Sequence, residues 1–201
     1  MSLREEALEE IRTAISVGDL GEDRIFSAAG LAKTLGMSLS PVREAMMSLV
    51  ADGTVEAVPN RGYRLVPVKT ADLDEIVTLR SLLGVPAVRS LCEARDAGTL
   101  ADLRTAADDA VTAAEAGDRK SFFAADRRFH FLVLSRGLGE RAASIGLRLR
   151  DQSRVALDEE KPRQADQESA AQLHELIDRI SAGQADAAAA LVDDNLRYFL
   201  R

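Results

Sequence analysis

Two polar side chains four positions apart, in the second half of the chain, have the types and spacing of a buried polar site. Asp126 and His130 fall on one face of a helix, because residues i and i+4 are neighbours on a helical surface. Phe122, Phe129 and Val133 lie on or beside that face. A carboxylate directed toward a core needs a partner or a metal ion. The pattern therefore predicts either a metal-ligand pair or a structural Asp–His or Asp–Arg hydrogen bond.

Residues 27–62 have the helix and turn signals of a helix-turn-helix followed by a β-hairpin. The first residue of this region is a serine suited to capping a helix, which Gly36 ends. A second helix is predicted from Ser38 to Gly53, with a proline in its first turn. Turn residues at 59–62 separate two short strand-like runs. Because an amphipathic helix precedes the motif, the order of elements is that of a winged helix; a small α+β core without a ligand has the same order.

The distribution of charge favours nucleic acid as the partner of this region. The 201 residues carry a formal net charge of −7, yet residues 24–68 hold five basic and three acidic side chains. The acidic remainder should repel DNA. One copy neutralises few phosphates, so affinity is expected from a dimer on a two-fold symmetric site.

Composition excludes a membrane or disulfide-rich protein. No apolar run is long enough to span a bilayer, and the first residues lack a signal-peptide pattern. The single cysteine, Cys92, cannot form an internal disulfide. We therefore expect a cytoplasmic protein with no membrane partner.

The residues of the motif carry a family resemblance. They are Leu31-Ala32, Leu35-Gly36-Met37-Ser38-x-Ser40, Pro41-Val42-Arg43-Glu44-Ala45, Leu49, Gly53-Thr54-Val55 and Asn60-Arg61-Gly62-Tyr63. This block resembles the DNA-binding domain of the GntR family of bacterial transcription regulators, and the resemblance covers residues 4 to about 68. It implies a winged helix-turn-helix DNA-binding domain over residues 1–68.

The resemblance also implies which residues meet DNA. The start of the second helix would enter the major groove, and the hairpin tip would lie along the minor groove. The implied positions are Ser38, Leu39, Ser40, Arg43, Arg61 and Gly62. Arg43 is the candidate for a bidentate contact to guanine or a phosphate clamp, and Gly62 for close approach to the DNA backbone.

At two places the chain departs from the family, and this affects the DNA contacts that the resemblance implies. The family usually has an arginine where this chain has Leu39, and often a charged residue near Ala28 or Ala29. A leucine can contact a thymine methyl group but cannot donate a hydrogen bond. We therefore expect an atypical operator or weaker binding.

After a short linker, the chain has helical periodicity and no strand signal. Six helices are predicted, over about 70–95, 99–117, 118–135, 140–160, 165–183 and from there to the C-terminus. Gly84 and Pro86 should kink or break the first, and a Thr99–Asp102 capping box should start the second. Lys161-Pro162 should close the fourth. The chain is thus expected to be mainly α, a winged helix-turn-helix of three helices plus a β-hairpin followed by an all-helical bundle of about six helices.

The landmarks of the helical half are Leu79-Arg80-x-x-Leu83…Ala87, Asp126-Arg-Arg-Phe-His130 and Gly183-x-Ala185-Asp186-Ala187-Ala188. They resemble the FCD effector domain of the FadR branch of the GntR family. This implies an effector-binding and dimerisation domain over residues 69–201. In that subgroup an Asp and three histidines bind a divalent metal, such as Zn, Ni or Mn, which helps to hold a small carboxylate.

The other two histidine ligands of that set are absent from the corresponding positions of this chain. The third falls on Leu173, which cannot bind metal, and His174 beside it is about a hundred degrees away around the helix. The fourth falls on Asn195, a weak ligand beside imidazole. Asp126, His130 and Asn195 thus predict at most a degenerate metal site, and a metal-free pocket is favoured. The implied effector-binding residues are Arg80, Asp126, His130 and Asn195, where Arg80 would hold an anionic effector or pair with an acidic neighbour.

The sequence therefore predicts a DNA-binding transcription regulator and not an enzyme. It would act as a homodimeric repressor on a palindromic double-stranded operator, with an affinity controlled by a small anionic metabolite. One alternative is a winged-helix adaptor that binds protein, which only Leu39 favours. The other is a helical metal-dependent enzyme, disfavoured by two histidines in all and an incomplete ligand set.

Overall fold

The structure, a computed structural model, describes residues 2–21, 24–155 and 163–197. The helices in these ranges are α1 (Leu3–Ser16), α2 (Ala28–Leu35), α3 (Leu39–Ala51), α4 (Thr70–Ala94), α5 (Ala97–Ala116), α6 (Arg119–Leu138), α7 (Glu140–Val155), α8 (Arg163–Ser181) and α9 (Ala185–Leu196). The strands are β1 (Val55–Val58) and β2 (Gly62–Leu65), which pair antiparallel. None of the described helices is long and apolar enough to cross a membrane.

The chain divides into two compact units. The first contains α1 to α3, the hairpin and the end of α7 from Asp151 onward. The second contains α4 to α6, α7 as far as Arg150, and α8 and α9. The expected winged helix-turn-helix and six-helix bundle are therefore both present.

The first unit is built from helices whose ends are marked by capping residues. Ser27 accepts a hydrogen bond from the Gly30 amide at 3.0 Å, and Gly36 ends α2 in the left-handed conformation, with φ of 64°. The helices close around a core whose side chains come from all three and from the hairpin: Ile11, Ile15, Leu31, Val42, Met46, Leu49, Val55 and Leu65. This core fixes the direction of the outward face of α3.

The hairpin carries an additional backbone contact that the sequence did not predict. Phe26 forms an isolated antiparallel bridge with Tyr63, through amide-to-carbonyl hydrogen bonds of 2.8 and 2.9 Å. Gly62 makes this bridge possible, since a Cβ there would lie 2.3 Å from the Phe26 carbonyl oxygen. The segment before α2 thus extends the small sheet.

The second unit is a helical bundle in which α5 packs against α6 and α8, while α4 packs against α6 and α9. The contact face of α5 is made largely of alanine, at positions 106, 107, 110, 113 and 114. Gly137 allows close approach of α6 to α4, because a Cβ there would lie 2.5 Å from the Ala87 carbonyl oxygen. The small residues therefore set the spacing of these helices.

Two predicted helix boundaries in the bundle were wrong, and a predicted break in α4 is absent. Pro86 does not break α4, which continues to Ala94; the proline is on the exposed side, where water can satisfy the freed carbonyl. Asp96, rather than Thr99, caps α5 by accepting from the Thr99 amide at 2.7 Å. Gly137 lies inside α6, which ends three residues later than expected. The predicted closure of the fourth helix at Lys161-Pro162 falls outside the described residues.

Candidate nucleic-acid interface and effector cavity

The start of α3 presents the predicted recognition residues to solvent. Ser38 is the N-cap residue of α3, and the helix buries Val42, Ala45, Met46 and Leu49 against the core. The opposite face is exposed and carries Ser40, Arg43, Glu44 and Met47. Ser40 donates a hydrogen bond to Glu44 Oε1 at 3.2 Å. The helix α3 therefore has one face in the core and an opposite face directed to solvent.

Two of the predicted DNA-contacting cations are available for an anionic partner. Arg43 and Arg61 are exposed, and neither side chain forms an ion pair within the described part of the chain. In contrast, Arg64 on the hairpin pairs with Glu56. A cation already paired on the surface gains less from a phosphate than one that is not. Arg43 and Arg61 are thus the exposed cations among the predicted contact residues that are not held in an ion pair with another described residue.

Apolar side chains share the recognition face with these cations. Leu39 is 40% exposed and Met47 is 53% exposed. Large apolar groups held in water are typical of a contact surface. On a recognition helix they fit thymine methyl groups or a protein partner.

The second unit contains a small cavity between its helices. The side chains and glycines that line it are Arg80, Gly84, His130, Val133, Leu134, Gly146, Leu147, Arg150, Val192 and Leu196. They come from α4, α6, α7 and α9, and they enclose a cavity of about 20 Å³, which is room for about one water molecule. The charged groups on the wall are Arg80 and Arg150, which are 7% and 1% exposed. These two guanidinium groups and His130 are the polar part of an otherwise apolar wall.

Asp126 is held by an arginine that the sequence analysis did not identify. Arg150 donates to Asp126 Oδ2 from Nε at 3.2 Å and from Nη2 at 2.5 Å, and Nη2 also donates to the Phe123 carbonyl at 3.1 Å. His130 Nε2 lies 3.4 Å from Asp126 Oδ1. The structure thus shows the Asp–Arg hydrogen bond that was one of the predicted alternatives.

The His130 imidazole is kept neutral by its surroundings. Burial lowers the pKa of His130, and the positive charges of Arg80 and Arg150 act in the same direction, against the attraction and hydrogen bond of Asp126. A neutral imidazole can donate from one nitrogen and accept at the other. His130 therefore adds a polar group to the cavity without adding charge.

Both halves of the chain match known families. Residues 3–65 match the model of bacterial regulatory proteins of the gntR family, and residues 75–198 match the FCD domain. The second match covers more than half of the chain. This protein belongs to the GntR family of bacterial regulators that carry an FCD domain. It is therefore a transcription regulator with a DNA-binding helix-turn-helix, and its families are not families of enzymes.

Similar proteins agree with this family. The chain is 37% identical over 128 residues, 62% of its own length and 74% of the relative, to an uncharacterised HTH-type transcriptional regulator in the TAR-I ttuE-ttuC′ intergenic region of Agrobacterium vitis. It is 29% identical over 136 residues to the transcriptional regulator McbR of Escherichia coli, spanning 68% of this chain and 62% of McbR. The solved structure of E. coli McbR/YncC matches with a TM-score of 0.80 at 23% identity, over 98% of this chain and 94% of that one. That structure supports the fold of this GntR/FCD regulator.

The divalent metal implied by the FCD resemblance does not fit the residues of this GntR/FCD regulator. Leu173, at the third ligand position, is fully buried and apolar. Asn195 uses its amide nitrogen on the Ser169 hydroxyl at 3.3 Å and on Gln172 Oε1 at 2.9 Å, and it is not among the residues that line the cavity. Within the described residues no cluster of three or more His, Cys, Asp or Glu side chains could hold a metal ion. Asp126 and His130 remain as possible metal ligands, and the Asp126 carboxylate is already paired with Arg150.

Of the predicted effector residues, the structure brings together Arg80, Asp126 and His130 but not Asn195. His174 is also elsewhere, with Nε2 2.6 Å from Asp108 Oδ1. The residue that sequence reasoning missed is Arg150. The sequence did indicate that Arg150 is buried, because it falls at helical spacing from Ala143 and Leu147, which are buried.

Proposed function

We propose that this chain is a homodimeric repressor whose affinity for a palindromic operator is controlled by a small anionic metabolite. Residues 1–68 would bind double-stranded DNA in the cytoplasm, where the bacterial chromosome lies, and residues 69–201 would bind the effector and the second subunit. The observation that carries effector control is the pair of buried arginines, Arg80 and Arg150, on the wall of the cavity.

DNA binding would use the outward face of α3 and the tip of the hairpin. Arg43 is the candidate for direct readout or a phosphate clamp, with Ser38, Leu39 and Ser40 beside it on the helix. Arg61 would contact the minor-groove edge from the hairpin. Gly62 would stand beside it, although its lack of a Cβ is already explained by the contact with Phe26.

Dimerisation is supported by an exposed apolar stripe on α4. Leu79 and Leu82 are 40% and 65% exposed, and Pro86 one turn further on is also exposed. These positions are three and four apart and therefore share one face of the helix. A second copy of the same stripe would bury all three side chains in a two-fold symmetric contact. One dimer would then present two copies of α3 to two half-sites.

Effector control requires that the cavity influence the first unit, and α7 provides a continuous covalent path. Arg150 lines the cavity, whereas the next residue, Asp151, belongs to the first unit. There its Oδ2 lies 2.9 Å from Arg12 Nε on α1. A ligand that repositions Arg150 would therefore also act on the residue that pairs with α1, and a differential affinity for two such states shifts their populations.

The test is in-vitro selection of random DNA with the purified full chain, followed by polarisation titrations of the selected site with small acids. We expect a palindrome with half-sites about one helical turn apart and displacement by at least one anion. Each tenfold loss of operator affinity corresponds to about 1.4 kcal/mol of differential ligand binding.

A second candidate function is protein binding by the winged helix, favoured by the exposed Leu39 and Met47 on the recognition face. The selection experiment separates the two. If no DNA sequence is enriched, the operator model fails and the adaptor remains. If a site is enriched but no acid displaces it, DNA binding holds and control by an anion fails.

A further inference from the structure

We propose that Asp151 and Gln152, at the end of α7, are positioning residues for DNA binding. They hold the corner formed by residues 52–54, where the recognition helix α3 passes into the hairpin. Both lie outside residues 1–68, the region predicted to bind DNA, yet both belong to the first unit. The inference rests on the proposed function, because it takes α3 as the recognition helix.

The corner is a tight turn at the C-terminal end of α3. Gly53 turns the chain there, with φ of 73°. Its amide donates to the Val50 carbonyl at 3.1 Å, and the amide of Thr54 donates to the Leu49 carbonyl at 3.0 Å. These bonds satisfy two of the last carbonyl groups of α3. The carbonyl of Asp52, the C-cap residue, has no donor within the helix.

Gln152 supplies a donor to that carbonyl from another part of the chain. Its Nε2 donates to the Asp52 carbonyl oxygen at 2.9 Å, across 100 positions of sequence. The same nitrogen would lie 3.4 Å from a Cβ at Gly53, which is ordinary packing distance. The side-chain amide therefore lies directly against the corner.

Asp151 acts on the same corner through Arg12 of α1. Arg12 Nε lies 2.9 Å from Asp151 Oδ2, and Arg12 Nη2 lies 3.4 Å from Asp52 Oδ2. The side chains of Arg12 and Asp151 are 14% and 7% exposed, so salt screens this pair less than a surface pair. One guanidinium thus connects α7 with the C-cap residue of the recognition helix, next to the hydrogen bond of Gln152.

These polar contacts restrain α3 in a way that its apolar core face does not. Apolar packing is non-directional, whereas a hydrogen bond is restricted in distance and angle. The core residues of α3 end at Leu49, and the contacts of Gln152 and Arg12 begin at Asp52. The end of the helix is therefore fixed by groups from α1 and α7.

The position of the corner matters because the predicted DNA contacts lie at the opposite end of α3. At a rise of about 1.5 Å per residue, Ser40 lies roughly 18 Å along the helix from Asp52. A tilt of about 5° around the corner would move the first turn by roughly 1.5 Å. A direct hydrogen bond to a base edge does not tolerate that displacement. Loss of the support should therefore weaken DNA binding, although neither Asp151 nor Gln152 is among the predicted contacts.

The test measures operator affinity of full-length variants by polarisation at fixed salt. Gln152→Met keeps the length of the side chain and removes the donor, and we expect binding about fivefold to tenfold weaker. Gln152→Lys provides a new donor to the carbonyl and should restore affinity to within about twofold of the unmodified protein. Asp151→Asn should also weaken binding, because the charge that attracts Arg12 is lost.

Gln164→Met is the matched control. Gln164 is exposed on α8, where its Nε2 donates to Glu168 Oε1 at 2.9 Å, and the same change there should leave operator affinity unchanged. Thermal unfolding followed by circular dichroism gives the temperature below which every variant is folded, and affinities are compared there. In Gln152→Met the amides of Gly53 and Thr54 should also exchange hydrogen faster than in the unmodified protein, with no DNA present.

Two results overturn the inference. One is that Gln152→Met binds the operator like the unmodified protein. The other is that Gln152→Lys binds as weakly as Gln152→Met, since the donor would then not be the cause. Unchanged affinity in Asp151→Asn overturns the part assigned to Asp151.

Arg43→Ala separates this inference from the proposed function. If Arg43→Ala weakens binding and Gln152→Met does not, α3 remains the recognition helix and only the inference fails. If Arg43→Ala binds like the unmodified protein, the proposed recognition helix fails instead. Hydrogen exchange then tests the support of the corner without DNA, and unchanged exchange at Gly53 and Thr54 in Gln152→Met overturns it.

Discussion

Arg150 Nη2 lies 2.5 Å from Asp126 Oδ2, and this contact joins two buried charges from α7 and α6. Both residues are 1% exposed. The pair neutralises the carboxylate that in related sequences is implied to bind a metal, and it places a cation on the wall of the cavity. The polar centre of this GntR/FCD regulator is therefore an ion pair within one chain.

Breaking this pair should be more costly than removing it. Asp126→Ala leaves Arg150 buried without its partner, and we expect a loss of about 3–5 kcal/mol in the free energy of unfolding. The double variant Asp126→Ala with Arg150→Met should lose less, because neither charge remains. Urea unfolding of the single and double variants measures the difference, and equal losses would contradict the assignment.

Stability should fall as the pH is lowered through the range in which histidine titrates. Burial lowers the pKa of His130 in the folded chain, whereas in the unfolded chain it is about 6.5. Below that pH the unfolded state takes up a proton that the folded state does not, so the free energy of unfolding decreases. Urea midpoints between pH 7 and pH 5 should show the decrease, and His130→Asn should reduce it. A decrease that His130→Asn leaves unchanged would contradict this assignment.

Gly62 should tolerate alanine much less well than Gly36, although both have positive φ values of 135° and 64°. At Gly62 the new Cβ would meet the Phe26 carbonyl oxygen at 2.3 Å, whereas at Gly36 nothing lies within 4 Å. We expect Gly62→Ala to cost about 2–4 kcal/mol, and Gly36→Ala about 1 kcal/mol. Thermal and urea unfolding would compare the two, and similar costs would remove the contact with Phe26 as the cause.

Arg43 should carry a large share of operator affinity. Arg43→Ala removes an exposed cation of the recognition face, and we expect a loss of about tenfold or more, corresponding to roughly 1–3 kcal/mol. The change can be measured by polarisation at fixed salt on the selected operator. Arg148→Ala removes an exposed arginine in the second unit and should have no effect. If both variants bind alike, α3 is not the reading helix.

Leu82 should be required for dimerisation. Leu82→Glu places a charge at the centre of the exposed stripe of α4, and burying it against a second copy is unfavourable. Light scattering should find more monomer at a given concentration. Leu3→Glu changes an equally exposed leucine of α1, 64% against 65% exposed, and should leave the oligomeric state unchanged. A dimer that survives Leu82→Glu would place the interface elsewhere.

The winged helix could be predicted from the amino-acid sequence, because the signals for its helix ends and turns are local. A capping serine, the glycine at 36 and Pro41 mark helix ends through interactions with residues only a few positions away. The same local rules predicted the number of bundle helices. They failed at Gly137, which lies inside α6, because the outcome there depends on the close approach of α4.

The partner of the Asp126 carboxylate depends on how the helices pack and could not be predicted from the sequence. The spacing of Asp126 and His130 predicted a buried polar face. A carboxylate in a core, however, can be stabilised by a metal ion, a histidine or an arginine. The arginine that binds it lies 24 residues later, on another helix. Helical periodicity was enough to predict that Arg150 is buried. Its partner depends on how α6 packs against α7, which the spacing of residues along the chain does not predict. The same packing brings Arg80 to the wall of the cavity that Arg150 and His130 also line.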